Sequence, residues 1–302
     1  MDITSSRREP HVHYVALSRV RSLQGLFVLN LSADKILISD NVRQEMAALR
    51  TCRKLPISLH LPPVQQVSTS PLQITFLNVR SLHSHIDLVR HDRILSNSQI
   101  NMFCESRVNQ TDAPNMYDIC NYSVIHYPSF SNTNQRSPYG ISVCTQLPVV
   151  SSSQLITMNE SNSSTESVVL QTALLPDLIL SVYCVYRSPT SDKTEFKKAM
   201  SQVASHHQRY QLTRTDVEHM AVIVGDFNMD WLQSSTQSLM SSLLPGFRQL
   251  VTDSTTDYGS LLDHAYTDIP TDCVQCYTGE SYFTDHKPIT IAIDVGRYRS
   301  SR

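Results

Sequence analysis

AVIVGDFNMDWL, residues 221–232, decides how this chain folds. An apolar run from Ala221 to Val224 meets Gly225, and Asp226, Phe227 and Asn228 follow at once. A buried strand normally ends in an ordinary turn. This one ends on a carboxylate and a carboxamide two residues apart. Side chains of extended backbone repeat every second residue, so Asp226 and Asn228 are expected on the same side of the strand end.

Similar short runs lie on both sides of it: LQITFLN (72–78), INMFCE (100–105), YSVIHYP (122–128), GISVCTQ (140–146), SVVLQTALL (167–175), LILSVYCVYR (178–187) and ITIAIDV (289–295). Their lengths and β-branched content predict strands, and Pro176-Asp177 reads as the turn of a hairpin. Ile86, Leu88, Val89, Ile94 and Leu95 predict a helix over 85–95, and Phe196, Met200 and Val203 a second over 194–210. A third is expected over 231–244, and Ser-rich 151–167 as a surface loop. Many strands with a few interposed helices predict an α/β (α+β) sandwich, not a simple parallel wound sheet.

The 302 residues allow one large domain or two small ones, and 40% hydrophobic against 17% charged residues support a packed core. A net charge of −2 excludes nucleic-acid binding by bulk electrostatics, so a nucleic-acid partner needs a local basic groove or metal ions. Seven scattered cysteines in a chain of this size read as reduced thiols, and the single Cys273-x-x-Cys276 pair has no second pair at zinc-site spacing. No apolar run reaches membrane-spanning length, and MDITSSRREP lacks a signal peptide's apolar core. An intracellular, nuclear protein without a membrane or an obligate protein partner, acting as a monomer, is expected. His206-His207 is expected on a solvated helix face, with Lys197, Lys198 and Arg209 nearby as a modest basic patch.

The first seventy residues differ in character. HYVALSRVRSLQGLFVL (13–29) joins two apolar runs through Arg19 and Arg21, and CRKLPISLHLPPVQQVSTSP (52–71) holds four of the fourteen prolines. The second stretch suits an extended linker. Three segments follow: 1–50, a linker over 51–71, and a main domain over 72–296.

The polar residues that close the apolar runs carry the chemistry. Asn78 ends the first strand, Glu105 the second, Tyr186 and Arg187 a later one, and Asp226 and Asn228 the stretch quoted above. Asp263 sits in SLLDHAYTD, and Asp285-His286 in YFTDHKPITIAI just before the last strand. Any one of these alone is a turn residue. Their conjunction at strand ends, where a rigid scaffold aims side chains into a shared crevice, points to a site.

These motifs resemble those of the endonuclease/exonuclease/phosphatase superfamily, which includes AP endonucleases, pancreatic-type DNases and the endonucleases of non-LTR retrotransposons. LNVRSL is similar to the opening Asn motif, FCES to the metal-binding Glu motif, VYRSP to the Tyr motif, GDFN to the Asp-x-Asn motif, SLLDHAYTD to the late Asp motif and TDHKPI to the terminal Asp-His motif. All stand in the family's order, and the transposon branch is the nearest in flavour. The resemblance implies a four-layered αββα sandwich and a Mg²⁺-dependent endonuclease acting on DNA, with Mn²⁺ as a substitute cation. It implies Glu105 and Asn78 as metal ligands, with Asp285 either completing the metal shell or orienting His286. His286 faces the phosphate, Asp226 aligns or deprotonates water, Asn228 and Arg187 bind phosphate oxygens, Tyr186 donates from its hydroxyl and Asp263 supports the site. Whether Asp226 or His286 takes the proton stays open. Two departures stand out: Arg107 where transposon relatives carry Trp, and Arg80 where some AP endonucleases carry an acid.

YVALSRVRSLQGLFVLNL (14–31) resembles the C-terminal motif of Pif-like helicases, including those of Helitron transposons, with Arg19 at the phosphate-reaching arginine. The GxxxxGK[ST] loop is absent, so no nucleotide binding and no ATPase activity are expected. The joint expectation is an endonuclease from a Helitron-like element. The alternatives are a phosphatase or a lipid or nucleotide phosphodiesterase on the same scaffold, and a catalytically decayed remnant.

Overall fold

Ala221 and Ile223 face one way, Val222 and Val224 the other, and all four are buried. A strand buried on both faces needs apolar material above and below it. The computed structural model supplies that material as layers. It describes residue 44 and residues 71–300, apart from 110, 114, 128–138 and 148–163. The helicase-like stretch with Arg19 and the linker lie outside the described residues, so their expected boundaries stay as sequence expectations.

Along the chain run β1 (Leu72–Asn78), α1 (Leu82–His91), α2 (Arg93–Asn97), β2 (Ile100–Cys104), β3 (Ser123–Tyr127), β4 (Ile141–Thr145), β5 (Thr165–Leu175) and β6 (Leu178–Arg187). There follow α3 (Lys193–Thr213), β7 (Glu218–Asp226), α4 (Ser234–Leu243), β8 (Arg248–Gln249), β9 (Asp263–Thr267), β10 (Val274–Thr278), β11 (Ile289–Ile293) and α5 (Val295–Ser300). The described strands form two mixed sheets, ordered β10-β11-β1-β2-β4-β3 and β5-β6-β7-β9-β8. β1 runs parallel to β2 and β6 parallel to β7, and every other pairing is antiparallel.

Side-chain alternation explains the stacking. Ile74, Phe76, Met102 and Cys104 of the first sheet meet Val182, Cys184, Val222 and Val224 of the second in one shared core. The opposite face of the first sheet, with Leu77 and Phe103, is covered by Leu82, Ile86 and Val89 of α1 and Leu95 of α2. The opposite face of the second, with Tyr183, Val185 and Ile223, is covered by Phe196, Met200 and Val203 of α3 and Met240 of α4. Three apolar interfaces make four layers, α–β–β–α.

The expected elements are present, with shifts that have local causes. The helix expected over 85–95 begins at Leu82 and breaks at Asp92, whose Oδ1 accepts from the N–H groups of Ile94 (2.8 Å) and Leu95 (3.1 Å) and so starts α2. Thr165–Ser167 belong to β5, not to the Ser-rich loop. β8, β9 and β10 were not expected: β8 has two residues, and β9 opens on Asp-His, a pair that reads as polar. His206-His207 is not solvated. The buried stripe Phe196–Met200–Val203 continues one turn to His207, which is buried with Nε2 3.1 Å from Asp268 Oδ2, while His206 Nδ1 lies 2.9 Å from the Tyr183 hydroxyl. No described helix is long and apolar enough to cross a membrane.

Gly225 lies where β7 leaves no room for a side chain against the parallel strand β6. It pairs in register with Val185, and a Cβ there would lie 1.8 Å from the Val185 carbonyl oxygen. Gly225→Ala is therefore expected to destabilise the domain by about 3 kcal/mol or more. Urea denaturation of the variant against wild type checks this.

Candidate active site

Parallel pairing puts the carboxyl ends of β1 and β2, and of β6 and β7, at matching edges, and β9 enters antiparallel at that edge of its sheet. Register then places Tyr186 opposite Asp226 and Asp226 opposite Asp263. Asn78 has the parity of Ile74 and Phe76, and Asp226 that of Val222 and Val224, so both project inward between the sheets. Glu105 follows Cys104 and on strict alternation would face outward. Its backbone is left-handed, φ 48°, and its carboxylate meets the inward-facing Asn78 and Tyr186.

Hydrogen bonds join these residues across the sheets. Asn78 Nδ2 donates to Glu105 Oε1 and to Asp226 Oδ2, each at 2.9 Å. The Tyr186 hydroxyl donates to Glu105 Oε1 at 3.2 Å. His286 Nδ1 donates to Asp263 at 2.9 Å and 3.1 Å. Apart from the Asn78–Glu105 bond, which stays within the first sheet, each runs between a residue of, or flanking, the first sheet and one of the second.

The buried charges perturb one another. Burial, and next the neighbouring Asp263, raise the Asp226 carboxyl above the usual range, to about 7. Burial alone would depress the His286 imidazole. The charge and hydrogen bond of Asp263, with Asp226 and Asp285 beside it, override that and push it up to about 9. The carboxylates around it thus favour the protonated form of His286. Burial and then the Glu105 charge also push the Tyr186 phenol up, which keeps it a proton donor.

Three expectations need correction. The strand ends at Asp226, and Asn228 takes a left-handed turn, φ 46°, with its N–H donating to Asp226 Oδ1 at 3.0 Å. The two residues are linked by this local turn, through the Asn228 backbone, not by the strand period. Second, the partner of His286 is Asp263, while Asp285 faces Arg80, with Nε 3.0 Å from Oδ1. Third, Arg187 is buried under the Asn228 turn, not aimed at a phosphate. Its Nη1 donates to the Asn228 carbonyl (3.2 Å) and Nη2 to the Ser191 carbonyl (2.6 Å), and Asn228 Nδ2 donates back to the Arg187 carbonyl (2.7 Å).

The donor set fits a hard divalent cation. Glu105, Asp285 and Asn78 offer oxygens, as such ions require. Asp285 Oδ1 is buried and accepts no hydrogen bond, although Arg80 lies beside it as a charge. Among the described residues, the acidic and histidine ligand atoms that lie within 4.8 Å of one another are those of Asp226, Asp263 and His286.

Solved structures share this architecture. An AP endonuclease from Archaeoglobus fulgidus superposes with a TM-score of 0.54 at 17% identity, over 74% of this chain and 100% of that one. The fold is that of the AP endonucleases. The catalytic domain of human Nocturnin with bound sulfate gives 0.53 at 13% identity, over 74% and 93%. The endonuclease domain of TRAS1, a telomere-specific non-LTR retrotransposon, gives 0.51 at 16%, over 74% and 98%. The likeness is one of fold. No protein-family profile and no curated protein matches the chain.

Within this AP-endonuclease fold, three supporting residues escaped the sequence reading because their motifs show no unusual residue type. Thr255 Oγ1 accepts the N–H groups of Leu262 (3.1 Å) and Asp263 (3.0 Å), and Thr284 Oγ1 donates to the Asn78 carbonyl (3.0 Å). His264 is the third. It faces away from the site, stacks on Phe227 with centroids 4.7 Å apart, donates from Nε2 to the Met229 carbonyl (2.9 Å) and accepts at Nδ1 from the Tyr266 hydroxyl (2.9 Å). It thereby ties the Asp226–Asn228 turn to the strand that carries Asp263.

Burial depresses the His264 imidazole to about 4 despite the carbonyls around it. The unfolded chain protonates this histidine below about pH 6.5 while the folded chain does not, so acidification favours unfolding. From about pH 6.5 down to about 4, His264 is expected to remove about 3 kcal/mol of stability. Urea denaturation at pH 7.5 and 4.5 should show wild type losing more stability than His264→Gln over that interval.

Proposed function

We propose that this chain is a divalent-metal-dependent endonuclease that hydrolyses DNA phosphodiester bonds, with Mg²⁺ as the working cation and Mn²⁺ as a substitute. The observation that carries the reading is the single buried network in which Asn78, Glu105, Tyr186, Asp226, Asp263 and His286 meet at one edge of the two sheets. The AP endonuclease and TRAS1 endonuclease structures of the same fold support a nucleic-acid phosphodiester as substrate. The helicase-like stretch around Arg19 supports an origin in a Helitron-like mobile element, without ATPase activity.

Glu105 and Asp285, with Asn78, would hold the cation, which would supply charge neutralisation on the phosphate and the leaving oxygen. The protein's own groups divide the rest. Asp226, its carboxyl raised toward neutrality, is the group matched to take a proton from water. His286 is held as an imidazolium by Asp263 and stabilises the charge that builds on the phosphate oxygens. Tyr186 donates from its hydroxyl, and the second N–H of Asn228 Nδ2 is left for a phosphate oxygen. The pairing of His286 with Asp263, rather than with Asp285, supports an orienting role for Asp263 and the cation as the partner of Asp285.

Glu105→Ala is expected to abolish Mg²⁺-dependent nicking of supercoiled plasmid while leaving the fold intact. His286→Ala and Asp263→Asn should each lower single-turnover cleavage by about two to four orders of magnitude. DNA affinity measured in Ca²⁺ should change far less, since the loss is confined to the transition state. Cleavage by either variant within about threefold of wild type removes the imidazolium from the mechanism.

A further inference from the structure

Two arginines stand against the proposed metal-binding carboxylates. Arg80 Nε lies 3.0 Å from Asp285 Oδ1, and Arg107 Nη2 lies 3.3 Å from Glu105 Oε2. Both occupy left-handed backbone, φ 52° and 53°, a conformation that non-glycine residues rarely take. Both backbones are pinned: the Arg80 N–H donates to Asn78 Oδ1 (2.9 Å) and the Arg107 N–H to the Tyr139 carbonyl (3.0 Å). Their side chains are far more exposed than those of their partners, 53% against 20% for Arg80 and Asp285, and 39% against 16% for Arg107 and Glu105. Each arginine thus has a fixed root, a half-exposed head and a carboxylate that a cation would also claim.

Water reaches the arginine side of both pairs and screens them, so a divalent cation can compete for the carboxylates. A guanidinium freed at the mouth of the site has a planar fork suited to phosphate oxygens. We propose that Arg80 and Arg107 are built-in counter-ions that exchange partners: they neutralise Asp285 and Glu105 until a divalent cation takes those carboxylates, and then turn to phosphates of the nucleic-acid substrate. The inference rests on the metal-dependent nuclease reading. It adds an ordered coupling to it, in which the cation both fills the site and releases the substrate-binding arginines.

The test uses the full chain with Arg80→Gln and Arg107→Gln, singly and together. Calorimetric titration with Mn²⁺ alone, without DNA, should show each variant binding the ion about two- to fivefold more tightly than wild type, since an internal competitor is gone. Duplex DNA should bind the variants more weakly in Ca²⁺, with the salt slope reduced by about one per arginine removed. In EDTA the variants should lose far less affinity, because there the arginines are still held by the carboxylates. A plain basic patch predicts equal losses in Ca²⁺ and EDTA, and that result overturns the exchange, as does unchanged or weaker Mn²⁺ binding by the variants. Wild type that takes up no Mn²⁺ overturns the metal reading and the exchange together, whereas wild type that binds Mn²⁺ and nicks plasmid beside indistinguishable variants overturns the exchange alone.

Discussion

Where two apolar sheets packed face to face meet water, their shared core has to be closed by groups that satisfy one another. Here the closure is polar: Asn78 to Asp226, Tyr186 to Glu105 and His286 to Asp263, each reaching from one sheet to the other. A buried polar group left without a partner costs about 1 to 3 kcal/mol, so these contacts are obligatory once the residues are there. The residues that suit phosphodiester chemistry are therefore also the seal of the sandwich. Each of them thus also serves the packing of the two sheets.

The two faces of each strand divide the labour. On β7, Val222 and Val224 lead inward to Asp226, while Ile223 leads outward toward Phe227 and the helix layer. On β9, Asp263 faces the site and His264 the aromatic cluster behind it. Buried charge and supporting packing thus sit on adjacent residues that face opposite sides of the sheet. Of the left-handed non-glycine residues described, Arg80, Glu105, Arg107 and Asn228 lie just beyond the strand ends that carry the site, and at Glu105 this conformation brings the side chain round to Asn78 and Tyr186.

The sequence is legible where periodicity and residue type speak together. β1 and β6 match their expected limits, and every strand-end residue marked as polar and out of place, Arg187 apart, lies in or beside the network. What stayed hidden is pairwise. No local pattern says that His286 meets Asp263 across 23 positions and not the adjacent Asp285, or that Arg187 spends its guanidinium on backbone carbonyls. Asn228 misled for a different reason. A strand period was carried past the strand's last residue into a turn that obeys Asx geometry. His207 misled because a histidine pair looks polar, although it sits where the apolar stripe of its helix arrives.

The position of the last strand has a consequence for synthesis. β11 pairs with β1 on one side, Leu72 against Ile293, and with β10 on the other. The earliest strand of the domain therefore has an open edge until the latest one emerges from the ribosome. Such a long sequence separation slows folding, and an uncovered edge invites pairing with other chains. His286, on the approach to β11, arrives with it. A nascent chain stalled before that point holds most of the carboxylates but not His286, so completion of the polar network and closure of the sheet come in the same step.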